Sequence, residues 1–320
     1  MAKPEYIEMD MLAPAKINLG LDVGRKVVDG RHPLTTVMQS ISLCDKMHVT
    51  ADWDPPNADV QIDMTFGEGI DHEDVPLESN LVYKAIMAFC DYIGKPMGDK
   101  IHIYLQKNIP TKSGLGGGSS DCAAAIKLMA MLYRLDPYGE EAVAVARSLG
   151  SDVAFFIDGG CAVLGGFGDV LEKRFDPPRL HLAIARPSEG LGTPDVYRTF
   201  DQMEDAAEID RIDQLQIRLL RHLDSNAGVS DISKCIGNSL QRAACSLNGG
   251  VSQIISEFNS IPGVLSASVS GSGSACYAIC EDATAAASAV GHMRTLGFWS
   301  VACDSVTFGA GWDFPQSAVC

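Results

Sequence analysis

A chain of 320 residues, 46% hydrophobic and 21% charged, is longer than one hydrophobic core usually fills, so two domains are expected and chain-wide disorder is excluded. A net charge of −16 without any lysine- or arginine-rich run excludes nucleic acid or an anionic membrane as the main partner. A small anionic ligand remains compatible with it, because surface charge acts over only about 8 Å at physiological salt and the groups lining a site decide.

Ten cysteines, at 44, 90, 122, 161, 235, 245, 276, 280, 303 and 320, form no CxxC pair. With no HExxH or paired Cys/His spacing either, a structural zinc site has no support. The N-terminal "MAKPEYIEMDMLAPAKINLG" lacks an apolar signal core, and no stretch approaches 18 uninterrupted apolar residues. The expectation is a reduced, soluble, cytoplasmic protein, as monomer or homodimer.

Residues 16–23, "KINLGLDV", alternate strictly. Ile17, Leu19, Leu21 and Val23 make one face of a strand, and Lys16, Asn18, Gly20 and Asp22 the other. The polar face is either half-solvated or the floor of a site. "PLTTVMQSISLC" (33–44), "KMHVTA" (46–51) and "VQIDMTF" (60–66) follow as strands between acidic and proline-rich turns. Ser79 and Asn80 are candidate caps for a helix carrying Val82, Ala85, Ile86, Phe89 and Ile93. "KIHIYLQ" (100–106) is again a strand. A glycine–serine loop comes next, then a helix with Cys122, Ile126, Met129 and Tyr133 along one stripe. "EEAVAVARSL" is a helix ending at Gly150. "DVAFFID" (152–158), "CAVLGG" (161–166) and "DVLEKRF" (169–175) read as strands.

"DPPRL" (176–180) divides the chain into domains 1–178 and 179–320. The second begins with a strand at 181–185 and continues with helices between 208 and 260. "GVLSASVS" and "SACYAIC" then flank "GSG", before a helix at 283–295 and a strand at 298–303. That order suggests an α+β sandwich.

The loop "IPTKSGLGGGSS" (109–120) joins a strand to a helix that must both pack, so it is not a free linker. Helix N-termini leave N–H groups unpaired and partly positive, and glycines let a phosphate approach the main chain. Ser119 and Ser120 add hydroxyl donors and are candidate magnesium ligands. A P-loop would need Lys after its second glycine, where this chain has Ser–Ser. The dinucleotide fingerprint fails at Ser119, and a hydrolase G-x-S-x-G is absent here and at "SGSGS". A nucleotide-phosphate cradle or a structural glycine turn remains. Lys107 precedes the loop and Lys112 lies within it, each facing phosphate or solvent.

"PTKSGLGGGSS" (110–120) resembles the second motif of the GHMP kinases, P-x-x-x-G-L-G-S/G-S-S, and "SGSGSA" (270–275) resembles their third. "PAKINL" (14–19), "DGRHPL" (29–34) and "GSDVAFF" (150–156) are similar to the 4-diphosphocytidyl-2-C-methyl-D-erythritol kinase family within that superfamily. The resemblance implies an α+β GHMP kinase fold, with an N-terminal domain like ribosomal protein S5 domain 2 and a ferredoxin-like C-terminal domain. It implies ATP- and Mg2+-dependent phosphorylation of a hydroxyl of 4-diphosphocytidyl-2-C-methyl-D-erythritol, in non-mevalonate isoprenoid synthesis. Lys16 and Asp152 match the catalytic pair. Pro110, Ser113, Gly114, Leu115, Gly116, Gly117, Gly118, Ser119 and Ser120 match the ATP-binding loop, with magnesium at Ser119 and Ser120. His32 matches the residue that hydrogen-bonds the cytosine ring and Tyr197 a stacking aromatic. Asn18, Thr193, Gly271, Ser272 and Gly273 complete the implied substrate site.

Three departures stand out. Arg31 replaces the family's aromatic before the histidine, although a planar guanidinium can also stack on a ring. "NSLQ" (238–241) lacks both carboxylates of the family's Asn-Asp-(Leu/Phe)-Glu stretch, and Ala154 replaces a proline. The first two leave room for another small alcohol or sugar as acceptor. A non-catalytic nucleotide-binding relative is the remaining alternative, and Lys16 and Asp152 argue against it.

Overall fold

The structure, a computed structural model, describes residues 6–28, 30–53, 57–203 and 206–312, without the side chains of 206–210. Asp29 of the "DGRHPL" stretch and Cys320 lie outside the described residues.

Two long strands organise the first half. β1 (Tyr6–Val23) pairs antiparallel with β2 (Leu34–Trp53) from Tyr6 opposite Asp52 to Val23 opposite Leu34. The sequence pointed to a strand from residue 16 and to two strands at 33–44 and 46–51. β1 instead runs unbroken through Pro14, because a register shift between Pro14 and Ala15 places the missing N–H at a bulge. β3 (Asp59–Phe66) lies parallel to β4 (Asp99–Lys107), which pairs antiparallel with the later part of β2.

α1 (Leu81–Tyr92) starts at Asn80, whose side chain accepts the Val82 N–H at 2.9 Å, as the capping pattern indicated. It packs with α2 (Gly117–Leu132), α3 (Glu140–Leu149) and α4 (Ser151–Asp158) into one core with Met11, Met47, Val49, Ile101 and Ile103 of the sheet. Two expectations change here. α2 is buried around most of its circumference rather than along one stripe, since Ala123, Ala124, Ala125 and Ala130 let neighbours approach on several sides. Segment 152–158 is helix, not strand: Val153, Phe155, Phe156 and Ile157 are buried together, and so short an apolar run fits either period. β5 (Cys161–Gly165) and β6 (Val170–Phe175) then extend the sheet from the early part of β2.

The second half opens with β7 (His181–Arg186), α5 (Thr193–Gln202), α6 (Ala206–Asp224) and α7 (Val229–Ser233). The two-residue β8 (Gly237–Asn238) returns to the first sheet, parallel to β1 at Gly20 and Leu21. α8 (Gln241–Leu247), α9 (Gly249–Ser260), β9 (Val264–Val269), β10 (Cys276–Cys280), α10 (Ala283–Thr295) and β11 (Trp299–Asp304) complete it. The small sheet has the order β11-β7-β10-β9 with every pair antiparallel, which is the ferredoxin-like arrangement. Ile17 and Leu19 on the apolar face of β1 share a core with Leu182, Ile184, Tyr277 and Ile279, so the two sheets pack on each other there. The Tyr277 hydroxyl donates to the Asn18 carbonyl at 2.8 Å and anchors that contact. Among the described residues no helix is long and apolar enough to cross a membrane.

Candidate active site

Lys16 sits mid-strand on β1 and is 4% exposed. A buried ammonium needs partners, and it has two: it donates to Asn18 Oδ1 at 2.8 Å, and its Nζ lies 3.5 Å from Asp152 Oδ2. Asn18 is held in turn, its Nδ2 donating to Thr36 Oγ1 at 2.8 Å, and Thr36 donates to the Gly20 carbonyl. Asp152 occupies the first turn of α4, where the helix N-terminus favours negative charge, and keeps about a third of its surface open. The pair predicted from the resemblance is therefore together, with a dry cation against a reachable carboxylate.

The glycine loop closes over Lys16. Gly116 is the left-handed N-cap of α2, with φ +76. The Ser120 N–H makes the first helical bond, to the Gly116 carbonyl, leaving the amides of Gly117, Gly118 and Ser119 at the open helix end. The Lys16 N–H donates to the Leu115 carbonyl, so β1 and the loop are stitched directly. The third-motif loop lies against the other side: the Ser270 hydroxyl donates to the Gly114 carbonyl at 2.9 Å, and the Ala275 N–H to the Ser113 carbonyl at 3.0 Å. A Cβ on Gly114 would stand 2.1 Å from the Ser270 oxygen, which is why that position is bare.

Two cavities meet at this loop. One, of about 430 Å³, is lined by Asn80, Lys107, Pro110, Lys112, Ser113 and the loop glycines. The other, of about 450 Å³, is lined by Lys16, Asn18, Thr36, Asp152, Phe167 and Tyr197, with Thr193, Gly271 and Ser272 at its edge. Gly114, Gly116 and Ser119 belong to both. Thr193 and Ser272 are tied by a 2.9 Å hydrogen bond between their hydroxyls.

Five expected residues, Arg31, His32, Leu115, Ser120 and Gly273, line neither cavity. Leu115 is fully buried core and reaches the site only through its carbonyl. Ser120, proposed as a hydroxyl donor and magnesium ligand, is fully buried and lines neither cavity, because α2 turns that side chain into the core. Gly273 shapes the turn by donating to the Ser270 carbonyl but lines neither cavity.

Beneath the first cavity, Lys107 bridges the carboxylates of Asp45 and Asp121, all three buried. Asp45 Oδ1 also accepts the N–H groups of Asn108 and Ile109, at 2.5 and 2.8 Å, and so fixes the strand end that enters the loop. Burial pushes the Asp121 carboxyl up to about 7; Lys107 opposes this and Asp45 adds to it. Burial opposes the Lys107 charge, but the two carboxylates prevail and hold its pKa above the ordinary lysine value. Across the second cavity, burial first and the Asp152 charge second push the Tyr197 hydroxyl up to about 12, so it stays a neutral donor.

Similarity to known proteins fits this geometry. The family described as GHMP kinases N terminal domain matches residues 80–160, and GHMP kinases C terminal matches 213–297. A 4-diphosphocytidyl-2-C-methyl-D-erythritol kinase of Desulfitobacterium hafniense is 33% identical over 295 residues, covering 91% of this chain and 94% of the relative. Its namesake from Saccharopolyspora erythraea is 34% identical over 286 residues, 89% and 86% of the two chains. This chain belongs to the GHMP kinases. A crystal structure of 4-(cytidine 5'-diphospho)-2C-methyl-D-erythritol kinase superposes with a TM-score of 0.71 at 28% identity, over 93% of this chain and 99% of that one. The L. major mevalonate kinase with R-mevalonate, at 16% identity, shares the fold with a TM-score of 0.74, over 96% and 99% of the chains.

The departures from the GHMP kinase motifs now have places. Arg31 stacks its guanidinium 3.8 Å from the centre of the Phe167 ring, and Phe167, not Arg31, lines the second cavity. Phe167 went unnoticed in the sequence because it falls between two strand patterns, although the flanking Gly166 and Gly168 marked a turn tip. His32 stands behind Tyr197, ring centres 5.2 Å apart, with Nδ1 facing the Gly24 carbonyl at 2.9 Å and Nε2 3.1 Å from Asp201. The "NSLQ" stretch lies largely outside the second cavity. Only Leu240 lines it, while Ser239 accepts the Val23 N–H and Gln241 accepts from Ser268 and Val269. The lost carboxylates therefore belong to positions that do not line this cavity.

Proposed function

We infer that the protein is an ATP-dependent kinase phosphorylating a hydroxyl of 4-diphosphocytidyl-2-C-methyl-D-erythritol. The observation that carries the reading is the pair of cavities sharing Gly114, Gly116 and Ser119, with Lys16 and Asp152 on one side of the junction. The named relatives, similar along nearly the whole chain, support this acceptor. In our reading ATP lies in the first cavity with its phosphates on the open amides of α2, which carry the positive end of the helix. Asp152 takes the proton from the attacking hydroxyl, and Lys16 stabilises negative charge on that oxygen and on the transferring phosphoryl group. Phosphoryl transfer needs mainly positioning and charge, and the Lys16–Asn18–Thr36 chain of hydrogen bonds supplies the rigid half of it.

Magnesium demands hard oxygen donors and keeps most of its shell as water and phosphate, so one hydroxyl from the protein is enough. Ser119, lining both cavities, fits that role and would hold the ion where it neutralises phosphate charge. For the acceptor, Phe167 and Tyr197 offer two aromatic surfaces to a base, and Thr193, Gly271 and Ser272 close the edge. Direct contact between His32 and the base requires one of its two present partners to be released. We place the boundary between the nucleotide-binding part, 1–178, and the remainder, 179–320, in the link between β6 and β7, and the enzyme in the cytoplasm.

The deciding assay is ADP release with ATP, magnesium and the cytidyl acceptor against a no-acceptor control. Acceptor-dependent ADP is expected. Turnover of homoserine, mevalonate or a sugar instead would sink this reading and leave a GHMP kinase of different specificity.

A further inference from the structure

A third cavity, of about 330 Å³, lies in the second half of the chain, apart from both chambers of the active site. Its lining includes Arg211 of α6, Lys234 just after α7 and Arg242 of α8. Among the described residues no aspartate or glutamate lines it. Acidic residues outnumber basic ones 41 to 25 in this chain, so a basic lining without a carboxylate runs against the composition. Lys234 Nζ is 3.4 Å from Asp231, which lies outside the lining, and Arg211 and Arg242 also contact other groups of the protein. Gln241 lines it too, at one of the positions where "NSLQ" lacks a family carboxylate, so the wall is neutral there.

We propose that this cavity is a second anion site, taking a small multivalent phosphate-bearing molecule, and that it is coupled to the acceptor chamber. Arginine and lysine around a polar concavity are what phosphate oxygens require. The coupling runs through residues already in the wall. Asn238 Nδ2 donates to the carbonyls of Val269 and Gly271, both at 2.8 Å, and Gly271 lines the acceptor chamber. Gln241 Oε1 accepts from Ser268 Oγ at 3.1 Å and from the Val269 N–H at 3.3 Å. An anion that draws Gln241 or Asn238 inward therefore pulls on the strand end that presents the third-motif loop.

Calorimetry of the full chain with inorganic pyrophosphate, with ADP saturating the nucleotide chamber and magnesium omitted, reads this site directly. One equivalent is expected to bind, more weakly as salt rises. The triple variant Arg211→Gln, Lys234→Gln, Arg242→Gln, all exposed side chains, is expected to lose roughly tenfold or more in affinity. Its unchanged kcat without pyrophosphate shows that it folds. No binding, binding that survives the triple substitution, or equal affinity for sulfate overturns the site. The coupling half rests on the kinase reading: at constant free magnesium, pyrophosphate should shift the acceptor KM by roughly fivefold in the wild type and not in the variant. Pyrophosphate that binds without moving that KM overturns the coupling. Absence of all acceptor turnover strikes the kinase reading alone, since calorimetry needs no turnover.

Discussion

Replacing Asp152 by asparagine keeps the shape of the side chain and removes its charge and its capacity to take a proton. Two consequences separate cleanly. At an effective dielectric of about 20, charges 3.5 Å apart attract by roughly 5 kcal/mol before solvent screening. Because about a third of the Asp152 side chain is exposed, screening leaves on the order of 1 kcal/mol. Lys16 keeps its 2.8 Å bond to Asn18, so the variant should fold with a Tm lowered by less than about 5 °C. The chemical loss is larger. A positioned general base contributes about 10²- to 10⁴-fold, or roughly 3–5 kcal/mol of barrier. Asp152 lines only the acceptor chamber, so the KM for ATP should stay within about threefold while kcat collapses. Steady-state ADP release over a grid of both substrates measures kcat and the KM for ATP, and thermal unfolding measures the Tm. A kcat within tenfold of wild type refutes Asp152 as the base. A kcat loss matched by a large rise in ATP KM shifts its role to nucleotide binding.

Other outcomes follow from single contacts. Gly114→Ala puts a methyl 2.1 Å from the Ser270 carbonyl oxygen at a left-handed position, so urea unfolding should show a loss of at least about 2 kcal/mol. Wild-type stability in that variant would mean the two loops are not packed as described. Phe167→Ala should raise the acceptor KM roughly three- to tenfold without changing the KM for ATP, and Phe167→Tyr should restore it. An unchanged acceptor KM would remove Phe167 from the binding surface. Asp121, at 3.8 when unfolded and about 7 when folded, binds more protons in the folded chain between those values. Its contribution is thus present below pH 3.8 and lost as pH rises through about 7. Asp121→Asn should show a smaller fall in Tm between pH 5 and 8 than the wild type, and parallel curves would contradict the assignment.

What was legible in the sequence was the chemistry carried by neighbours in the chain. The glycine loop, the third-motif loop and the alternation around Lys16 are local patterns, and each is found where the pattern put it. Part of the wall of the acceptor chamber was legible, since the resemblance named Asn18, Thr193, Tyr197, Gly271 and Ser272. Thr36, Phe167 and Leu240 were not, because they come from three separate elements and turns that only the fold brings together. The most telling miss is Lys107, left open between phosphate and solvent. β4 alternates Ile101, Ile103 and Leu105 inward, and Lys107 is the next residue of that same buried face. A charge on the apolar side of an alternation must be paired, and its partners Asp45 and Asp121 lie 62 and 14 positions away. Lys16 is the converse case. It sits on the polar side of β1, where solvent was one of two readings, and is buried because loops from both halves of the chain cover it. Period alone assigns a strand residue to a face; whether that face meets water depends on what folds over it. For Lys107 the pairing could be inferred in kind but not in partner, whereas the resemblance had already named Asp152 beside Lys16. That is why the phosphate loop could be read before its supports.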